Sequence, residues 1–212
     1  MIEMFGRHEL KLFCIGLGKT GTTTIRAFFE EHGYNVGNQR EAEKLIHNYK
    51  VRDFKLILKY CKKAQAFQDI PFSLPYTYQA LDTYFKNCKF IHTVRNNADE
   101  WYKSLVRFHS KRLTDGNRTP VKEDLINDTY LYKGYNWEAT KIVFNTPDDD
   151  PLNERILKSF YNCHNKQVEN YFRYKDNYIK VNVAKDEDYF RLCNFLGLKP
   201  KGECFPWENR SK

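Results

Sequence analysis

Short apolar runs alternate with longer amphipathic segments along this chain, and the alternation predicts an α/β protein. Four runs have the length and composition of buried strands: Leu12–Ile15, Ala64–Asp69, Phe90–Val94 and Tyr178–Val183. Apolar residues at helical spacing separate these runs. Strands that alternate with helices favour a parallel sheet covered by helices on both faces, which makes three layers.

The same pattern predicts the helices between the strands. They are expected over Thr22–Gly33, Glu41–Lys62 (one or two helices), Pro75–Phe85, Ala98–Leu113, Leu152–Tyr174 and Asp188–Leu196. Residues 114–151 are polar and rich in turn residues, so a partly irregular insertion near 110–150 is expected there. With 212 residues and no linker-like segment, residues 1–212 are predicted to form a single domain.

The segment Lys11–Arg26 carries the strongest chemical signal. A buried strand leads into a turn with glycines at positions 16, 18 and 21, and the following helix opens with Thr22, Thr23 and Thr24. Such a turn directs backbone N–H groups inward, Lys19 adds a positive charge, and the helix N-terminus is electropositive. The segment therefore predicts a site for a phosphate-like anion.

The order of residues in this turn distinguishes two kinds of phosphate loop. The common nucleoside-triphosphate loop places its lysine after the last glycine, whereas Lys19 comes before Gly21. Lys19-Thr20-Gly21-Thr22-Thr23 instead matches the pattern K-[ST]-G-T-T, so the chain resembles the sulfotransferases that use 3′-phosphoadenosine 5′-phosphosulfate (PAPS). Lys89–Ser104, a strand ending in Arg95 followed by a helix with a serine, is similar to their second signature.

The resemblance implies a P-loop-like fold and a set of site residues. Lys19 is expected to stabilise the leaving nucleotide as a catalytic residue, and Arg95 and Ser104 are expected to hold the 3′-phosphate of the donor. Residues expected to bind the 5′-phosphate are Gly18, Lys19, Thr20, Gly21, Thr22, Thr23 and Thr24. Lys103 is the alternative to Ser104, since the family serine lies eight residues after the arginine, and Lys103 holds that place. No metal is expected.

Asp69 is the candidate general base for the acceptor hydroxyl. It ends a predicted strand, and many family members are similar in having a histidine or carboxylate near this point. Burial would raise the pKa of a carboxyl toward neutrality, as a base requires. The structural alternative is an aspartate that caps the next turn. Lys19, Asp69 and Arg95 all follow strand ends, where ligands of parallel sheets bind, so one shared site is expected.

Charge and cysteine content limit the kinds of partner and the cellular location that we expect. The chain has 35 Lys and Arg against 27 Asp and Glu, a net charge of +8, but the basic residues are scattered. We expect a small anionic donor and a small-molecule or carbohydrate acceptor, with no nucleic acid. The six cysteines show no metal-ligand spacing, and no run is long enough to span a bilayer. A cytoplasmic location is therefore expected.

Two other functions are consistent with the sequence. A P-loop kinase or nucleotide hydrolase would use Mg-ATP, with Lys19 on the phosphates and Asp69 as a magnesium ligand. A non-catalytic polyanion-binding protein would use only the positive charge and would bind in a salt-sensitive way. The sequence does not identify the acceptor, the residue that stacks on adenine, or the oligomeric state.

Overall fold

The structure is a computed structural model and describes residues 9–206. This part of the chain contains two compact units. The first unit comprises the residues up to Val94 and those from Tyr174 onward, and the second unit comprises Arg95–Arg173. A single domain over residues 1–212 stays a prediction.

The described elements alternate between strands and helices as the pattern predicts. In chain order they are β1 (Lys11–Cys14), α1 (Thr22–Glu31), α2 (Gln39–Glu43), α3 (Ile46–Lys50), α4 (Lys55–Tyr60), β2 (Ala66–Gln68), α5 (Thr77–Tyr84), β3 (Cys88–Thr93), α6 (Ala98–Leu113), α7 (Lys122–Asn127), α8 (Tyr135–Val143), α9 (Glu154–Phe172), β4 (Tyr178–Val181) and α10 (Asp186–Leu196).

The strands form one parallel sheet in the order β2-β1-β3-β4. β1 therefore lies inside the sheet, with Phe13 opposite Phe67 on one side and Phe90 on the other. Because all strands run in the same direction, their carboxyl ends share one edge. The prediction of a parallel α/β sheet is confirmed.

Aromatic side chains fill one face of the sheet. The ring of Phe13 stacks on those of Phe67 and Phe90, with both pairs of centroids 5.5 Å apart. Phe85 and Phe72 lie against the same ring, at 5.8 and 6.2 Å between centroids. Phe13 is fully buried at the centre of this group. This face is covered by segments between β1 and β3.

The opposite face of the sheet packs against the first and last helices. Leu12 and Cys14 of β1 point to this side, since successive residues of a strand alternate between faces. They share a buried cluster with Ile25 and Phe28 of α1 and with Leu192 of α10. Helices therefore cover both faces of the sheet within the first unit, as the pattern predicts.

The second unit contains more helix than the sequence indicates. The expected irregular insertion near 110–150 includes α7 and α8, and Arg112 anchors this region through an ion pair with Asp128, at 2.5 Å between Nη2 and Oδ2. The long helices α6 and α9 meet where Trp101 stacks on Tyr161, with centroids 4.9 Å apart. Glu41–Lys62 similarly falls into short helices, because turns at Lys44 and near Arg52 interrupt it.

Phe13→Ala tests the aromatic face. Removing a buried phenylalanine ring leaves a cavity between two stacked neighbours, so the free energy of unfolding should fall by about 3–5 kcal/mol. Chemical denaturation measures the change. Phe190→Ala is the matched control, because Phe190 is 46% exposed and its loss should cost less than about 1 kcal/mol. Equal losses in the two variants would contradict this account of the core.

Candidate active site

The turn between β1 and α1 lies so close to neighbouring residues that a Cβ atom on either of two of its glycines would clash. A Cβ atom on Gly16 would lie 2.1 Å from Thr93 Oγ1 and 2.3 Å from the Thr93 carbonyl oxygen. Gly21 has a φ of +106°, and a Cβ there would lie 2.4 Å from Val183 Cγ2. The loop is thus pressed against the ends of β3 and the segment after β4, at the carboxyl edge of the sheet.

Lys19 adopts a backbone conformation that is unfavourable for a side chain. Its φ is +73°, in the left-handed region, which costs about 1–2 kcal/mol for an ordinary residue. Such strain persists only when the surrounding contacts impose it, and it concentrates at functional sites. The conformation of Lys19 is part of the tight curl that directs backbone groups of the loop inward.

Thr20 stabilises the loop through buried hydrogen bonds. Its side chain is fully buried, and its hydroxyl donates to the Leu17 carbonyl oxygen at 2.6 Å. The same oxygen atom lies 2.6 Å from Thr93 Oγ1, and because the Thr20 proton is already committed, the Thr93 hydroxyl is the donor in this second bond. The Thr20 N–H also donates to Leu17, at 3.2 Å. The hydroxyl and the N–H of Thr20 therefore both have partners inside the protein.

Helix α1 begins without a side-chain cap, in contrast to α6 and α9. Gly21 occupies the capping position and has no side chain to offer, whereas Asn97 and Asn153 cap the other two helices. The first N–H groups of any helix lack partners within the helix. At α1 these groups, from Thr22, Thr23 and Thr24, form an electropositive end that suits an anion.

Asp69 lies directly beside this loop. The Thr22 hydroxyl donates to Asp69 Oδ2 at 3.1 Å, and the Ile70 N–H donates to Oδ1 at 3.0 Å. A Cβ on Gly18 would lie 3.4 Å from Oδ1, which shows how closely the loop backbone approaches the carboxyl group. The structure therefore brings together the loop and Asp69, as their positions after β1 and β2 predict.

Burial raises the pKa of the Asp69 carboxyl above its ordinary value. The hydrogen bonds from Thr22 and Ile70 and the charge of Lys19 oppose this shift without cancelling it. Asp69 also has a φ of +63°, so its backbone is held in the left-handed region. The turn that follows is closed by the Asp69 carbonyl, which accepts from the Ser73 N–H at 2.9 Å. The carboxyl group also accepts from the Ile70 N–H within this turn, so a capping role and a role as base both stay predictions.

Arg95 is the first residue of the second unit and is fixed there through its backbone. The Arg95 N–H donates to the Tyr161 hydroxyl at 2.9 Å, and that hydroxyl lies 3.4 Å from the Arg95 carbonyl oxygen. Two acidic residues follow Arg95 in the first turn of α6. Asp99 pairs with Lys158, and Glu100 accepts from the Asn96 N–H at 3.0 Å.

Ser104 and Lys103 lie on different faces of α6. Asn97 caps the helix by accepting from the Glu100 N–H at 2.8 Å, so α6 begins where the sequence predicts. Adjacent residues of a helix point about 100° apart. Ser104 is half-buried and Lys103 is exposed. The choice between them as the 3′-phosphate ligand stays a prediction.

Two supporting residues were missed by the sequence reasoning. Thr93 lies beneath the loop, and Tyr161 fixes Arg95 from α9. A threonine at the end of the buried strand β3 is a weak signal for a buried hydroxyl partner. Tyr161 gave no signal, because one tyrosine of an amphipathic helix is indistinguishable from a core residue.

The fold and the loop define a class of α/β proteins whose first strand leads through a glycine-rich anion-binding turn into a helix. A family model described as a sulfotransferase domain matches residues 11–212. The chain therefore belongs to the sulfotransferase family, whose members are transferases.

A solved structure agrees with this assignment at the level of the fold. The crystal structure of a sulfotransferase from Alicyclobacillus acidocaldarius is similar, with a TM-score of 0.54 and 14% identity, over 96% of this chain and 87% of that one. No curated protein matches the sequence. Within residues 9–206, no helix is long and apolar enough to cross a membrane, and no cluster of His, Cys, Asp and Glu has the arrangement of a metal site.

Gly21→Ala tests the close packing of the loop, with Gly33→Ala as its matched control. Both glycines have positive φ angles, +106° and +80°, but only a Cβ at position 21 meets another atom. Both variants should lose about 1–2 kcal/mol of stability from the unfavourable backbone angle. Gly21→Ala should lose more, because Val183 must move. Thermal unfolding measures both losses, and equal values would contradict the packing described here.

Proposed function

We propose that this protein transfers a sulfuryl group from PAPS to a hydroxyl or amine group of an acceptor. The observation that carries the proposal is the contact between the loop and Asp69, made by the Thr22 hydroxyl at 3.1 Å. This contact joins an uncapped helix N-terminus, suited to an anion, to a buried carboxyl group whose pKa is raised. A binding module needs the first of these features but not the second.

The loop residues suit the 5′-phosphosulfate of the donor. Gly16 and Gly21 let the loop pack against Thr93 and Val183, where a Cβ atom would clash, and no side chain caps the first N–H groups of α1. Residues assigned to this role are Gly18, Lys19, Gly21, Thr22, Thr23 and Thr24. Thr20 acts indirectly, since its polar groups hold Leu17 and Thr93. Arg95, with Ser104 or Lys103, is assigned to the 3′-phosphate.

PAPS supplies an activated sulfuryl group, and the protein has two tasks during its transfer. Asp69 accepts the proton of the acceptor hydroxyl as the acceptor oxygen forms its bond to sulfur. Lys19 stabilises the negative charge that collects on the 5′-phosphate oxygen as the old sulfur–oxygen bond breaks. The products are the sulfated acceptor, 3′-phosphoadenosine 5′-phosphate and a protonated Asp69, which releases its proton to solvent.

The raised pKa of Asp69 fits the role of base. A carboxylate of ordinary pKa is a poor proton acceptor near neutral pH, and burial makes the group more basic. The Thr22 and Ile70 donors oppose the shift, and each bonds one oxygen of the carboxyl group, which fixes its orientation. Thr22 is in this way a positioning residue for the base as well as a loop residue.

Thermal unfolding with nucleotides tests the donor. At about one hundred times its dissociation constant, 3′-phosphoadenosine 5′-phosphate should add about 2.7 kcal/mol of stability without magnesium. Arg95→Ala should lose most of this increment. Arg155→Ala, which removes an exposed arginine of α9, should keep it. Ser104→Ala and Lys103→Ala in the same assay identify the second 3′-phosphate ligand, because only the variant at the contact loses stabilisation.

The same assay with ATP separates the competing function. Stabilisation by ATP that requires magnesium, with no response to the 3′,5′-bisphosphate, would contradict the proposal and favour a P-loop kinase or hydrolase. Asp69 would then be a magnesium ligand and not a base. Equal stabilisation by all anions, abolished by salt, would favour a non-catalytic polyanion-binding protein.

Asp69→Asn should lower the activity and raise the stability of the protein at neutral pH. Loss of the base should lower the rate of sulfuryl transfer by about 10²–10⁴-fold. Because burial raises the pKa of Asp69 in the folded state, ionisation of this group destabilises the protein as pH rises through that pKa. The variant should therefore be more stable than the wild type at neutral pH, and the difference should vanish in acid. Asparagine also tolerates the positive φ of this position.

Asp99→Asn is a control variant, because the change in its stability at neutral pH should be opposite to that of Asp69→Asn. The pKa of Asp99 is lowered by its hydrogen bond and ion pair with Lys158. Its stabilising contribution is present above its ordinary pKa and is lost as the pH falls, so this variant should be slightly less stable at neutral pH and unchanged in activity. A neutral-pH stability loss in Asp69→Asn, with activity retained, would show that Asp69 is only a structural residue.

A further inference from the structure

We propose that a groove along α6 binds an acidic saccharide. The groove lies within the second unit and has a volume of about 630 Å³, which is in the range of small-molecule sites. Its lining includes three cationic side chains, Lys103, Arg107 and Lys111. Lys103 is also the alternative ligand of the 3′-phosphate, so the proposal rests on Arg107 and Lys111 and not on the assignment of the donor site.

The three cations form a regular row. They are spaced four residues apart on α6, so they lie on one face of the helix at intervals of about 6 Å along its axis. All three are exposed. Like charges at this spacing repel each other and destabilise a helix, which makes the arrangement unfavourable unless an anion offsets it. A ligand with several negative groups along its length matches the row.

Arg107 and Lys111 have no acidic partner within the described part of the chain. No ion pair among residues 9–206 involves either of them, whereas the adjacent Arg112 is paired with Asp128. Lys103 has Asp99 nearby, since its charge helps to lower the pKa of that carboxyl group. The groove therefore offers at least two cations whose charge is available to a ligand.

The remaining lining favours a saccharide over a nucleic acid. Sites for single-stranded nucleic acid combine cations with open aromatic faces on which bases stack. The one aromatic residue in this lining, Tyr102, donates its hydroxyl to the Leu152 carbonyl at 3.1 Å, and Lys158 Nζ lies 5.5 Å from its ring centroid. One face of this ring is already occupied within the protein.

Asp115 contributes a hydrogen-bond acceptor to the groove, beside the cations. It is exposed at the end of the groove, and no hydrogen bond or ion pair among the described residues uses its carboxylate. A carboxylate repels a pure polyanion but accepts hydrogen bonds from hydroxyl groups. The Ser110 hydroxyl also lines the groove. A ligand that carries both anionic groups and hydroxyl groups uses every part of this lining, and an acidic sugar chain has that composition.

Binding of a sulfated tetrasaccharide to the full chain tests the proposal by calorimetry. Arg107→Gln and Lys111→Gln should each weaken binding about three- to tenfold, and the double variant should weaken it by about the product. Lys166→Gln, an exposed lysine of α9, is the matched control and should leave the affinity unchanged. Equal affinity of the double variant and the wild type would overturn the proposal.

Asp115→Asn separates a saccharide site from a plain anion site. Asparagine fits the φ of +52° at this position, so the loop is retained. The variant should bind inorganic tripolyphosphate more tightly, because a repelling charge is removed, and should bind the tetrasaccharide less tightly, because a strong acceptor for hydroxyl groups is lost. Tighter binding of both probes would overturn the saccharide assignment. So would a single-stranded DNA of equal charge that binds as tightly as the tetrasaccharide.

Discussion

The candidate site depends on one steric constraint, which is the contact between the loop after β1 and the end of β3. No Cβ atom fits between Gly16 and the backbone of Thr93, so the loop crosses β3 at a separation that only glycine permits. That crossing turns the chain sharply enough for α1 to begin at the edge of the sheet. The left-handed backbone of Lys19, the uncapped start of α1 and the contact between Thr22 and Asp69 all follow from it.

Two opposite electrostatic effects act on the Asp69 carboxyl group at this edge of the sheet. An anion-binding loop favours positive potential, and this potential lowers the pKa of any carboxyl group beside it. Asp69 is nevertheless kept basic, because its desolvation outweighs the effects of Lys19 and of two hydrogen-bond donors. A more exposed carboxyl group at the same place would be an ordinary acid. The burial of Asp69 therefore determines how readily its carboxyl group accepts a proton.

Much of the fold was predictable because its signals are local. Apolar runs marked the strands, and the glycines and threonines around Lys19 marked the loop, since each depends on residues close in sequence. The helices α7 and α8 were missed because polar residues and turns hide their short apolar faces. Thr93 and Tyr161 were missed for a different reason. Their roles arise from contacts between segments 73 and 66 residues apart, and periodicity carries no information at that distance.

The buried bonds of Thr20 also explain why a motif of this form tolerates either serine or threonine after its lysine. The hydroxyl must donate to Leu17 and accept from Thr93, and both bonds involve only the oxygen atom. The methyl group adds packing but no bond. Alanine or valine at this place would leave the Leu17 carbonyl with only the backbone N–H of position 20 and would remove the oxygen that the Thr93 hydroxyl contacts. The residue type at one position of a motif can thus be determined by contacts inside the protein, while adjacent positions are determined by contacts with the ligand.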